Sequence, residues 1–215
     1  MNWFYKLAKF LAKTWLKLCY GFKVHGIEHA KKVSGGALVA SNHTSFLDPE
    51  VVSVACPFPV TFIARDTLFK IFMFGRIISW LNAVPIVRGG GNTAMIRRMC
   101  ELLQEGRKVL MFPEGSRSNT EELSPFKAGL GLLAFYGKSD ILPVYVKGTL
   151  DVWGRGSKLP KLWGKIHCAF GTPIRIQEFA AMEKRAAQEA ISAKVREAID
   201  ALRQWIDAGA HGTPP

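Results

Sequence analysis

The chain has 215 residues, 48% apolar and 21% charged, enough for one packed domain and too apolar for a disordered chain. Four scattered cysteines (Cys19, Cys56, Cys100 and Cys168) with no CxxC pair argue against a zinc site or a disulfide scaffold and fit a reducing compartment. The net charge of +12 sits before residue 178: seven lysines oppose only Glu28 up to residue 32, seventeen bases oppose ten acids over 33–177, and the remainder is balanced, so the partner is anionic.

Residues 2–22 read as a helix. Lys6, Lys9, Lys13 and Lys17 fall within an arc of about 80° at ~100° per residue. Trp3, Phe4, Leu7, Phe10, Leu11, Leu18 and Phe22 fill the opposite surface, with Trp15 and Leu16 at its border. Such a stripe fits a helix lying in a membrane interface, though it also fits one that packs on its own domain. No run approaches the ~18 apolar residues of a membrane span. The lysines interrupt any apolar region of a secretory signal, so none is expected.

Beyond this helix, apolar runs alternate between strand and helix character. The spacing predicts strands at 37–42, 61–64, 83–88, 108–113 and 141–147, with an edge strand over 165–170. Helices are expected at 49–55, 92–104 and 126–137, an apolar segment at 68–81, and one or two amphipathic helices over 178–207. In the last stretch Arg196/Asp200 and Arg203/Asp207 are i,i+4 pairs. The fold class is therefore α/β: a single layer domain with a largely parallel central sheet flanked by helices, plus the N-terminal amphipathic helix and C-terminal helices.

Functional residues of such sheets gather where strands end. The first strand runs into Asn42-His43-Thr44-Ser45-Phe46-Leu47-Asp48-Pro49-Glu50. Residues five apart on one helix point about 140° apart, so His43 and Asp48 meet only if the helix begins after His43. Asp48-Pro49-Glu50 reads as that start: N-cap, proline at N1, acid in the first turn. A carboxylate on one imidazole nitrogen frees the other to take a proton from a hydroxyl. Taken alone, the spacing is common by chance and fits a helix cap beside a polar loop residue better than a catalytic pair.

Phe112-Pro113-Glu114-Gly115-Ser116-Arg117 follows the 108–113 strand. Gly115 permits a sharp turn, and Arg117 has the fork that grips a phosphate. Ser116 lacks the second glycine of a nucleophile elbow. Arg65 and Arg88 also close strands, and with Arg117 they converge on one sheet edge as an anion site. The Gly89–Gly91 triplet has no following GK[ST] and is not a nucleotide loop.

These pieces resemble the glycerolipid acyltransferase family, in particular its bacterial 1-acylglycerol-3-phosphate branch. Residues 42–48 (NHTSFLD) look like the first block NHxxxxD, and 84–88 the arginine-ending second. Residues 112–117 look like FPEGxR, and 141–144 the proline-centred fourth. The resemblance covers roughly 22–150 and implies acyl transfer from a thioester to a lipid hydroxyl, with no metal, no cofactor and no acyl-enzyme. It implies His43 as general base and Asp48 as its orienting partner. Arg88, Glu114, Gly115 and Arg117 belong to the acceptor site, with Arg65 standing where the family often has lysine. The implied partners are acyl-CoA or acyl carrier protein, a lysophospholipid acceptor and an anionic membrane surface. Lysophosphatidic acid is the default acceptor; another lyso-lipid, glycerol-3-phosphate, or a non-catalytic lipid-binding role are the alternatives. The basic charge alone would also suit nucleic acid, but no zinc spacing, RRM signature or basic heptad accompanies it. The expected layout is a membrane-interface helix at 1–22 and an acyltransferase domain at 23–210, peripheral on the cytoplasmic face of a membrane, most simply the bacterial inner membrane.

Overall fold

Strands and helices alternate through the computed structural model, which describes residues 3–80, 82–86 and 91–215. Helix α1 (Trp3–Tyr20) leads through β1 (Lys23–His25) and α2 (Ile27–Lys31) into β2 (Ala37–Ser41). Next come α3 (Asp48–Ala55), β3 (Val60–Arg65), α4 (Asp66–Phe69), α5 (Phe72–Trp80), β4 (Ala83–Ile86) and α6 (Gly91–Gln104). The rest holds β5 (Lys108–Met111), α7 (Gly129–Gly137), β6 (Asp140–Lys147), α8 (Thr149–Trp153), β7 (His167–Phe170), a 3-10 turn (Ile176–Phe179) and α9 (Lys184–Asp207).

The strands form a seven-stranded sheet in the order β1-β7-β6-β2-β5-β3-β4. Every neighbouring pair is parallel except β6–β7. Strand β2 is buried at all five positions, as a strand covered on both faces must be. Ala37 and Val39 face a core shared with α1 and α3; Leu38 and Ala40 face one shared with α6, α7 and α9. The chain leaves β2 for one face through α3, and leaves β5 for the other through α7. Their C-terminal ends therefore flank a switch point, where an open α/β sheet has its crevice.

The largely parallel sheet matches the sequence expectation, with a rearranged edge. Residues 167–170 do not form an edge strand, because Lys23–His25 pairs outside them in register Lys23↔His167. Helix α7 begins at Gly129 rather than Phe126. Arg203 does reach Asp207, at 3.5 Å, but Arg196 turns from Asp200 to the carbonyls of Ser124 and Leu123, at 2.7 and 3.1 Å. Apolar segment 68–81 divides into α4 and α5, with Ile78 buried and Phe72 exposed. Leu81, Val87 and Arg88 lie outside the described residues, as do the side chains of Phe74 and Ile77.

Helix α1 packs through Tyr5, Leu16 and Tyr20, and its Lys9 amine reaches the Cys56 carbonyl. Lys9 therefore leaves the expected cationic stripe for the packed face. Trp3, Leu7, Phe10, Leu11 and Leu18 point outward, with Lys6, Lys13 and Lys17 exposed along one flank.

Candidate active site

Two loops meet at the C-terminal ends of β2 and β5. In the first, Asn42 pins the chain before it turns: its side-chain amide donates to Val146 O (2.9 Å) and accepts from Val146 N (2.8 Å), lengthening the β2–β6 pairing. His43 follows, and its backbone is held at both ends. Its N–H donates to Glu114 Oε1 (2.8 Å), and its carbonyl accepts from Ser118 N (2.8 Å). The ring lies nearly parallel to Phe112, with centroids 4.0 Å apart. The position of the imidazole is thus set by the β5 loop.

The carboxylate of Asp48, fully buried, sets its orientation. Oδ2 accepts from His43 Nδ1 (2.9 Å) and from the backbone N–H groups of Thr44 and Ser45 (2.7 Å each). Oδ1 accepts from Thr149 Oγ1 at 2.5 Å. Four donors satisfy one buried carboxylate, which a charge out of water requires. The expected N-cap role is corrected here. Asp48 is the first helical residue of α3 and faces back to the loop, while the capping position, Leu47, makes no side-chain cap. Since Asp48 accepts, Nδ1 donates, and Nε2 keeps its lone pair. Nε2 makes no hydrogen bond among the described residues, and the side chain is 18% exposed.

Glu114 is equally buried, and its second oxygen accepts from Ser124 N at 3.1 Å. It acts on the backbone of His43, where the resemblance implied the acceptor site. Gly115 adopts φ +73°, which closes the turn from Phe112 at little steric cost. Arg117 lies over Phe46, its guanidinium carbon 3.5 Å from the ring centroid. Its Nη1 is buried and has no hydrogen-bond partner among the described residues. Arg65 ends β3, but its side chain is outside the described set, as is all of Arg88; the convergence of three arginines is thus described only for Arg117.

Beside these loops lies a cavity of about 550 Å³ between α1 and α3, lined by Tyr5, Ala8, Lys9, Phe46, Phe62 and Trp153 among others. Glu50 also lines it, and burial pushes its carboxyl up; burial likewise pushes the Lys9 amine down. The thiol of Cys56, at the end of α3, is raised to about 12 by burial and is no nucleophile near neutral pH. Asn42 and Phe112 stand in the first and third sequence blocks, but their roles as backbone pin and ring platform were not legible there; Thr149 carried no sequence signal at all. Thr149 is held in place because Gly148, at φ +87°, approaches Lys165 O so closely that a Cβ there would sit 1.9 Å away.

The profile of the family described as Acyltransferase matches residues 21–147, which hold both loops after β2 and β5 but not Thr149 or Trp153. The chain belongs to the acyltransferase family. This acyltransferase is 28% identical over 204 residues to a 1-acyl-sn-glycerol-3-phosphate acyltransferase of Bacillus subtilis, covering 94% of this chain and 98% of that one. It is 30% identical over 176 residues to a chloroplastic protein of the same description from Arabidopsis thaliana, covering 79% and 49%. The chain spans about half the length of that relative and of its Brassica napus counterpart. The fold is that of a crystal structure of a 1-acyl-sn-glycerophosphate acyltransferase from Thermotoga maritima, with TM-score 0.70, 24% identity and coverage of 90% and 78%.

Proposed function

We propose that this acyltransferase moves a fatty acyl group from acyl-CoA or acyl carrier protein to the free hydroxyl of 1-acyl-glycerol-3-phosphate, giving phosphatidic acid for phospholipid synthesis. The observation that carries the reading is the His43 ring, fixed by Asp48 at Nδ1 with Nε2 open. Nε2 takes the acceptor's hydroxyl proton as the oxygen attacks the thioester carbonyl. The tetrahedral intermediate then collapses, the C–S bond breaks, and the thiolate takes the proton back from the imidazolium. A new ester and a free thiol result. The thioester is already activated, so base catalysis (about 10²–10⁴-fold) and positioning account for the chemistry without metal or cofactor.

The unsatisfied Nη1 of Arg117 supports a phosphate-bearing acceptor, since a buried guanidinium donor gains most from an anion. The apolar cavity under Phe46 suits an acyl chain. The outward Trp3, Leu7, Phe10, Leu11 and Leu18 of α1, flanked by lysines, suit a peripheral seat on an anionic membrane. The four free cysteines suit its reducing, cytoplasmic face.

The test offers purified protein one labelled acyl thioester and a panel of acceptors: 1-acyl-glycerol-3-phosphate, glycerol-3-phosphate, lysophosphatidylcholine and monoacylglycerol. Labelled phosphatidic acid is the expected main product. Equal or better use of the phosphate-free acceptor, or no transfer to any acceptor by folded protein, would overturn the reading.

A further inference from the structure

Between α8 and β7 the chain makes an excursion over 155–165 with the sequence RGSKLPKLWGK. It carries Arg155, Lys158, Lys161 and Lys165 and no acid. Leu159, Leu162 and Trp163 are 78%, 68% and 72% exposed. Three large apolar side chains held this far into water on one short loop mark a surface that something covers.

The loop is not loose. Lys161 N donates to Val152 O (2.9 Å), Ser157 N to Gly154 O (3.2 Å) and Trp153 Nε1 to Ser157 O (3.2 Å). Gly164 sits so close to Val152 that a Cβ would be 2.7 Å from its methyl group. The exposed side chains are therefore displayed on a fixed backbone, and displaying them costs little further ordering when they are buried.

Its position decides what covers it. Tyr20, the last residue of α1, donates from Oη to Lys161 O (2.8 Å) and accepts at its carbonyl from Ile166 N (3.0 Å). The loop is thus tied to the end of the helix whose outward face is Trp3, Leu7, Phe10, Leu11 and Leu18. At its other end, Trp153 lies against Phe46, with ring centroids 5.3 Å apart, and both line the cavity. Leucine and tryptophan among lysines is the composition of an interfacial lipid contact, and the bases complement acidic headgroups.

We infer that residues 155–165 form a second lipid-surface anchor, whose occupant is an anionic bilayer interface. With α1 it would seat the Phe46–Trp153 mouth of the cavity on the membrane, so that a lipid acceptor enters from the bilayer. The inference rests on the reading of α1 as a membrane helix, and the experiment separates the two.

Full-length protein is sedimented with phosphatidylcholine vesicles, with and without phosphatidylglycerol. Three variants are compared with the parent: L159S/L162S/W163S, K158Q/K161Q/K165Q, and L7S/F10S/L11S in α1. The apolar loop variant is expected to bind phosphatidylglycerol vesicles about tenfold or more weakly. The lysine variant should lose about tenfold at low salt, and part of its salt dependence. Both should keep the parent's thermal midpoint, since every changed side chain is exposed, and the parent's kcat at saturating vesicles. Vesicle binding by both loop variants within about twofold of the parent overturns the inference; if the α1 variant alone loses binding, the helix reading survives without the loop. Retained vesicle binding with lost affinity for acyl carrier protein would also overturn it, assigning the loop to a protein partner.

Discussion

The loops after β2 and β5 end neighbouring parallel strands, and each contributes a buried carboxylate, yet the two are used differently. Asp48, the first residue of α3 where the first loop ends, holds the imidazole of His43 by its side chain. Glu114, from the second, holds the same residue by its backbone N–H. The first loop supplies three of the four donors to its carboxylate, Thr149 of α8 supplies the fourth, and His43 Nε2 is left open among the described residues. The second loop leaves a buried cationic donor, Arg117 Nη1, without a partner among the described residues. In the proposed mechanism the base and the phosphate receptor thus stand on separate loops, joined where Glu114 and Ser118 hold the His43 backbone and Arg117 stacks on Phe46. Glu50 is the contrast to both: solvent-exposed at the rim of the cavity, it has only partial desolvation acting on its carboxyl.

Removing the reactive group breaks the comparison most severely. His43→Ala should lower kcat by about 10²–10⁴-fold or more in a protein that still folds, because Glu114 and Ser118 still hold the residue's backbone, with the thermal midpoint lowered only modestly as Asp48 loses one of its four donors. Parallel thermal melts and turnover assays check both halves. Next is Glu114→Gln. A glutamine offers an NH₂ to one of two backbone N–H groups that need an acceptor, so stability should fall by about 1–3 kcal/mol. Activity should fall about 10- to 100-fold as the imidazole shifts. A variant with full activity would show that the backbone clamp does not position the ring.

Arg117→Ala should act on the acceptor alone. Losing a charge-assisted hydrogen bond of about 1.5–3 kcal/mol raises acceptor KM about 10- to 150-fold, with donor KM and thermal midpoint little changed. Steady-state kinetics with each substrate varied in turn separates these. The smallest effect belongs to Glu50→Gln. Burial raises the folded-state pKa of Glu50, so the fold holds that proton more tightly than the unfolded chain does. Stability is therefore lost as pH rises from the ordinary carboxylate range through the raised folded value. The glutamine variant should gain stability at neutral pH and none in acid, as thermal melts across pH would reveal.

The sheet and the His43–Asp48 contact were legible in the sequence because both leave local marks. Buried parallel strands are continuous apolar runs such as ALVAS, and a proline after Asp48 announces where the helix starts. Contacts that depend on the assembled fold left none. The three residues of β1 are too few for a period, yet they convert β7 from an edge into an interior strand. Thr149 is an ordinary threonine until the turn at Gly148 brings it 2.5 Å from Asp48. The periodicity of α1 showed two faces but not which one the domain would cover, and Lys9 went to the buried side. Glu114 was legible as part of a block, but its partner, a backbone N–H 71 positions away, was not.

The central claim concerns one proton. Nitrogen-15 NMR of the His43 imidazole, assigned by comparison with His43→Ala and recorded where the ring is neutral, reports which nitrogen carries it. The proton is expected on Nδ1, coupled into the Asp48 hydrogen bond, with Nε2 bare. A neutral ring protonated on Nε2 would leave no base facing the acceptor and would contradict the mechanism.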